Sequence, residues 1–238
     1  MLGLLQILGW ATTFYLPAVL AASVAAENDW SLAWTMGGLA WGLLVAGACS
    51  PSVGRKIDRW GGGTILAAGS VLMGCGLIAL ALGYGPLAYV FAWTLLGMGM
   101  AAGLYDAAFA TLGRLCGEHT RSAITGLTLL GGFASTLGWP LISALNAELG
   151  WRMTCVLLAA AHLCIAAPLH FHRVPRLHRV ANPGGPQPTR PSSRLPPDPR
   201  FLRLAVLFTL LAFVMTSLSV HLLDLLQRAG LSMATAVA

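Results

Sequence analysis

The stretch SPSVGRKIDRWGGGTIL, residues 50–66, sets Arg55, Lys56, Asp58 and Arg59 beside the glycines Gly61, Gly62 and Gly63, between two apolar runs. Only 9% of the chain is Asp, Glu, Lys or Arg. Such a concentration of charge marks a place where the backbone leaves an apolar medium and turns back into it. On either side lie apolar runs of about 20 residues, enough for a helix rising 1.5 Å per residue to cross the hydrocarbon of a bilayer.

The composition supports that reading. Hydrophobic residues make up 57% of the 238, mean hydropathy is +0.75, and there are 28 glycines. A soluble domain of this length needs far more charge on its surface. The fold class expected is an all-α polytopic membrane protein. Spans are expected at 2–24, 31–53, 63–84, 87–113, 122–146, 151–171 and 201–223. The joins between them carry breakers, namely Glu27-Asn28-Asp29, Gly83-Tyr84-Gly85-Pro86 and Leu149-Gly150-Trp151-Arg152. Residues 172–200, rich in Pro and Arg, read as a flexible linker between two bundles.

Lys and Arg are distributed unevenly over the joins. Arg55, Lys56 and Arg59 lie in the second, Arg114 and Arg121 flank the fourth, and seven arginines from Arg173 to Arg203 crowd the sixth. Only Arg152 and Arg228 fall on the other side. The positive-inside rule then places the amino terminus and the 172–200 linker in the cytoplasm, in a plasma (inner) membrane. A cleaved signal peptide does not fit, because residues 1–6 carry no positive side chain and the first apolar run is too long.

Several function classes drop out. The net charge of +6 is confined to loops with no interleaved aromatics, so nucleic-acid binding is not expected. Cys49, Cys75, Cys116, Cys155 and Cys164 are odd in number, lack metal-ligand spacing, and read as small apolar filler. The glycine run at 61–63 is not followed by Lys-Ser/Thr, so it is no phosphate loop, and no ATP-binding motif is present. No cofactor and no metal site is expected, and H-E-x-x-H, G-x-S-x-G and paired intramembrane carboxylates are absent, which argues against an enzyme.

Gly54, Asp58, Arg59 and Gly61 have the spacing G-x-x-x-D-R-x-G, in a join between the second and third spans. This resembles the signature loop of the major facilitator superfamily. Six spans, a long basic linker and a seventh span follow the same plan, as do Gly150-Trp151 with Arg152 and the position of Arg121. The resemblance implies a six-helix bundle over 1–171, a cytoplasmic linker over 172–200, and the start of a second bundle over 201–238 with a seventh helix and an incomplete eighth. It implies that the loop is a conformational element, with Asp58 expected near a helix start, where free N–H groups favour it. Gly54 and Gly61 are expected to permit a tight turn and close helix approach. The sequence departs from the family pattern at Gly62 and Gly63, where basic residues are usual, at Trp139-Pro140, and at Thr94, where drug–proton antiporters carry Arg.

Asp106, in GMGMAAGLYDAAFATLGR, is the most informative residue inside an apolar run. A carboxylate there is costly and faces a cavity or a partner. Two readings stay open: proton binding that couples transport, or a structural ion pair with Arg114, Arg121 or a residue of a second bundle. Gly99, Ala102 and Asp106 are expected to share one small-residue face. In the first span Gln6, Trp10, Thr13 and Pro17 fall on one stripe, and the family lines its cavity with the first, fourth, seventh and tenth helices. Resemblance therefore makes Gln6, Trp10, Thr13, Tyr15, Tyr105, Thr216 and Ser217 candidates for a substrate cavity, with helix–helix bonding as the alternative. His221 and Asp224 read as interfacial and solvated, His162 as a satisfied packing residue, and His170, His172 and His178 as charge facing phospholipid.

The expected function is secondary transport of a small organic solute, by ion gradient or by facilitation, through alternating access. Its partners are that solute, protons, the lipid bilayer, and a C-terminal bundle or second chain, since the sequence reads as truncated after the seventh span. The alternative is a non-transporting half-unit or membrane interaction protein.

Overall fold

The computed structural model describes residues 1–175 and 198–229, and among them every regular element is helical. Most of the 172–200 linker, His178 and the approach to an eighth helix lie outside the described residues.

The first pass is made of α1 (Leu2–Ala11) and α2 (Leu16–Asn28). The second is α3 (Leu32–Trp60), opened by Ser31, whose hydroxyl accepts from Trp34 N at 3.2 Å. After α4 (Gly62–Leu82), the fourth pass is divided into α5 (Gly85–Gly103) and α6 (Tyr105–Leu115). A single-turn 3₁₀ segment, Gly117–His119, leads to α7 (Thr120–Gly131) and α8 (Ala134–Ala161). A π-helical turn, His162–Ala166, and α9 (Ala167–Arg173) complete the sixth pass, and α10 (Pro199–Arg228) follows, carrying the shorter apolar stretch Leu202–Leu218.

The helical and apolar stretch Gly117–Arg173 has 57 residues. At 1.5 Å per residue a straight helix of that length would reach about 85 Å, far beyond one bilayer. Gly150, with φ 76° and ψ 164°, folds it into two passes, and only glycine enters that region without strain. The expected join at 149–152 is therefore a one-residue hinge.

Two expectations about the second join are corrected. Helix α3 runs on through Gly54, Asp58 and Arg59 to Trp60, so the signature residues lie on a helix and not in a loop. Asp58 accordingly stands in the last turn of α3 and not at a helix start. Nothing between 54 and 60 stops a helix. The turn is made by Gly61 alone, at φ 83°.

The bundle is built around α4 and α5, which pack along each other, with α3 on α5 and α8 and α9 on α4. Glycines make this approach possible. A Cβ on Gly69 would lie 2.7 Å from the backbone of Gly103, and one on Gly97 would run into the Gly42 carbonyl of α3. The larger core, with Leu16, Met73, Leu77, Trp93, Leu96 and Ile142, fills the middle and the end opposite the basic residues. A smaller one around Ile57, Leu66, Ala108 and Leu112 fills the basic end. Long apolar side chains such as Leu44, Leu87 and Phe91 point outward, as lipid contact requires.

Candidate functional site

Two passes are interrupted at the same place in the bundle. Between α1 and α2, Thr12 to Tyr15 leave the helix. Pro17 has no N–H to offer the Thr13 carbonyl. The hydroxyls of Thr12 and Thr13 instead turn back, donating to Leu8 O at 2.8 Å and Gly9 O at 2.6 Å. Between α5 and α6, Leu104 adopts extended angles, φ −88° and ψ −162°, which frees the carbonyl of Gly103. Gln6 Nε2 donates to that oxygen at 2.8 Å, so a side chain of the first pass caps the break in the fourth. Interrupted backbone at membrane depth persists only where protein or a wet cavity satisfies it. A third interruption, at Gly132 and Phe133, separates α7 from α8.

Aromatic rings gather around these breaks. Trp10 lies 4.8 Å from Tyr105 and meets Phe14 edge-on at 5.3 Å. Tyr105 stacks on Phe109 at 5.2 Å with 9° between planes, and Tyr15 stands edge-on to Trp139 at 5.9 Å. The hydroxyl of Tyr105 occupies the space where a Cβ of residue 131 would be, which only Gly131 leaves free. Trp10, Phe14, Tyr15, Tyr105 and Phe109 are all half-buried, so they form a wall and not a sealed core.

Of the other residues singled out above, Gln6 and Thr13 are fully buried, with the Thr13 hydroxyl committed to Gly9. Gln6 Oε1 and the indole nitrogens of Trp10 and Trp139 are buried without a hydrogen-bond partner among the described residues. Thr216 and Ser217 are half-buried on α10, whose main neighbour is α2. Asp106 is exposed, stands in the first turn of α6, and makes no hydrogen bond or ion pair among the described residues. It does not share a continuous face with Gly99 and Ala102, because Leu104 interrupts the helix between them. Gly99 packs on Met73 and Ala102 is buried, while Asp106 is turned outward.

Ion pairing takes a different form from the one expected around Asp106. Arg114 donates to Asp58 Oδ1 at 3.0 Å and to the Ile57 carbonyl at 2.9 Å, tying α6 to the end of α3. Arg121 is exposed and enters no ion pair among the described residues. Gly54 faces open space, so it does not serve helix approach, whereas Gly62 lets the end of α4 press on Thr111. At the opposite end Arg152 donates to Glu27 Oε1 at 2.7 Å and to the Ala81 carbonyl, and Trp151 Nε1 donates to Glu27 Oε2 at 2.5 Å. The Arg152 guanidinium also lies over the Tyr84 ring, 4.5 Å from its centre. Nothing in the spacing of residues 27, 81 and 152 announces this second clasp.

One histidine is buried as expected, and a second is placed where the sequence did not point. His162 Nε2 lies 2.7 Å from Thr12 Oγ1, and its Nδ1 is buried without a hydrogen-bond partner among the described residues. His170, expected against phospholipid, is buried with Nδ1 2.9 Å from Ser70 Oγ. Among the described residues no group of three or more His, Cys, Asp or Glu is arranged to hold a metal ion.

A family model described as Major Facilitator Superfamily matches residues 1–238. No curated protein matches the chain.

Proposed function

The chain belongs to the major facilitator superfamily, and on that premise we propose that it is a secondary transporter of a small organic solute, gradient-driven or facilitative, working by alternating access. It is an integral membrane protein of a family that moves small solutes across membranes. The proposed plan is a first bundle over 1–171, a cytoplasmic linker over 172–200, and a second bundle begun at 201 by α10. The distribution of Lys and Arg supports a cytoplasmic amino terminus in a plasma (inner) membrane.

The observation that carries this reading is the meeting of the two breaks, capped by Gln6 on Gly103 and faced by half-buried aromatic rings. Interrupted helices supply backbone polar groups and an irregular wall, which a straight apolar helix cannot. Both clasps, Asp58–Arg114 and Glu27–Arg152, join helices within the first bundle. That supports a bundle that moves as one body around the site, with Asp106 as the group proposed to bind the coupling proton.

The test is counterflow in liposomes containing the purified full chain. Vesicles preloaded with an amino acid, an amine, a carboxylate or a sugar are given a trace of the same solute labelled. Accelerated uptake for at least one solute is expected, and a proton gradient of the right sign should drive it if the transport is coupled. Absence of counterflow for every class, at acid and neutral pH, would count against transport and for the non-transporting half-unit.

A further inference from the structure

The charges of the described residues are sorted by depth. Arg55, Lys56 and Arg59 end α3, Arg114 ends α6, Arg121 begins α7, Arg152 follows the Gly150 hinge, and Arg173 ends α9. Each lies within about two turns of the end of a membrane pass, or of the Gly150 hinge between two passes, where its head group reaches polar surroundings. Arg114 and Arg152 are further committed to Asp58 and Glu27. Asp106 is different. It lies nine residues before the end of α6, about 14 Å into the bundle.

An exposed carboxylate at that depth is too costly to leave in hydrocarbon, and a wet cavity is a setting that accommodates it. Phe109 is three residues further along α6 and therefore beside it on the helix surface. The half-buried Tyr105–Phe109 stack thus lies beside the carboxylate on α6, and Trp10 packs on Tyr105. Within reach of the same break, Gln6 Oε1 is a buried acceptor with no donor. The described wall offers a negative charge and aromatic faces, and no Lys or Arg.

We propose that the solute is an organic cation, an alkylammonium or arylalkylammonium ion, whose charged head sits between Asp106 and the Trp10–Tyr105–Phe109 rings. Aromatic faces attract cations through the ring quadrupole, and the attraction grows where water is excluded. A carboxylate solute would meet the Asp106 charge with no counter-ion from this bundle. The inference rests on the transport reading and narrows it to one class of substrate.

The test compares solutes of matched shape and different charge on the purified full chain. Tetramethylammonium, tert-butanol and pivalate form one set, and benzylammonium, benzyl alcohol and benzoate the other. Binding is read from tryptophan fluorescence, with Trp10 in the wall, and from thermal stabilisation. The cation of at least one set should bind tightest, Asp106→Asn should weaken it by about tenfold or more, and Asp106→Glu should retain the order. Tyr105→Leu should weaken the cation and spare the neutral member, which decides the matter if Asp106→Asn fails to fold. An anion or neutral solute binding as tightly as the cation, an unchanged order in Asp106→Asn, or no binding by any of the six would overturn the inference. Counterflow of a neutral or anionic solute would then leave the transport reading standing, whereas absence of all counterflow would remove that reading itself.

Discussion

Arg152 and Asp58 each belong to an ion pair, but the two pairs are not equivalent. The Asp58 side chain is 78% exposed, so water and salt screen it, and Asp58→Asn should cost only about 0–1 kcal/mol. Arg152 is three-quarters covered, holds Glu27 and the Ala81 carbonyl, and covers the Tyr84 ring. Its replacement by Ala leaves a freed carbonyl at the end of α4 and unties α2 from α8, at about 1–3 kcal/mol. Thermal unfolding in detergent should therefore fall by several degrees for Arg152→Ala and scarcely move for Asp58→Asn. Equal losses would contradict this ranking. At this scale sequence shows which side chains are out of place in lipid, and it singles out Gln6 and Asp106 for that reason. It does not show their partners. The Gly103 carbonyl is available to Gln6 only because Leu104 leaves the helix, and no residue type at 104 announces that.

For the elements, charge and polarity indicate where the chain leaves the hydrocarbon, which is a different question from where a helix ends. Arg55, Lys56, Asp58 and Arg59 are compatible with helix, so α3 continues until Gly61 reaches a positive φ. The expected span 2–24 is broken at 12–15, where Thr12, Thr13 and Pro17 all compete with or lack helical bonds. The break in the fourth pass carries only Gly103 as a sign, and Gly103 packs closely on Gly69 there. The two breaks are held in register by close contacts, and Gly131 is the tightest test of them. A Cβ there collides with the Tyr105 hydroxyl, which can move only by disturbing its contacts with Trp10 and Phe109. Gly131→Ala should cost about 1–3 kcal/mol by overpacking and shift the tryptophan emission, while Gly126→Ala, with open space around it, should do neither. Fluorescence and thermal unfolding of the two variants would check this directly.

At the scale of the molecule, the spacing of apolar runs carries the number of passes, because bilayer thickness fixes helix length. The packing of those passes around α4 and α5 was not legible, since it depends on glycine contacts scattered over helices distant in sequence. Orientation depends on one asymmetry, the crowding of Lys and Arg at one end, and Cys116 offers a way to test it. This thiol is half-buried between α6 and the 3₁₀ segment, at the basic end. Cys155 is buried, and Cys75 and Cys164 lie on outward faces of apolar helices. Maleimide reacts with the thiolate, which needs water to form, so a variant retaining only Cys116 reports one side of the membrane. A membrane-impermeant maleimide should label that variant in inverted vesicles and leave it untouched in intact cells. Labelling from outside intact cells would reverse the orientation: Asp58 and Arg114 would then clasp the bundle at its outer end, and Glu27 and Arg152 at the inner one.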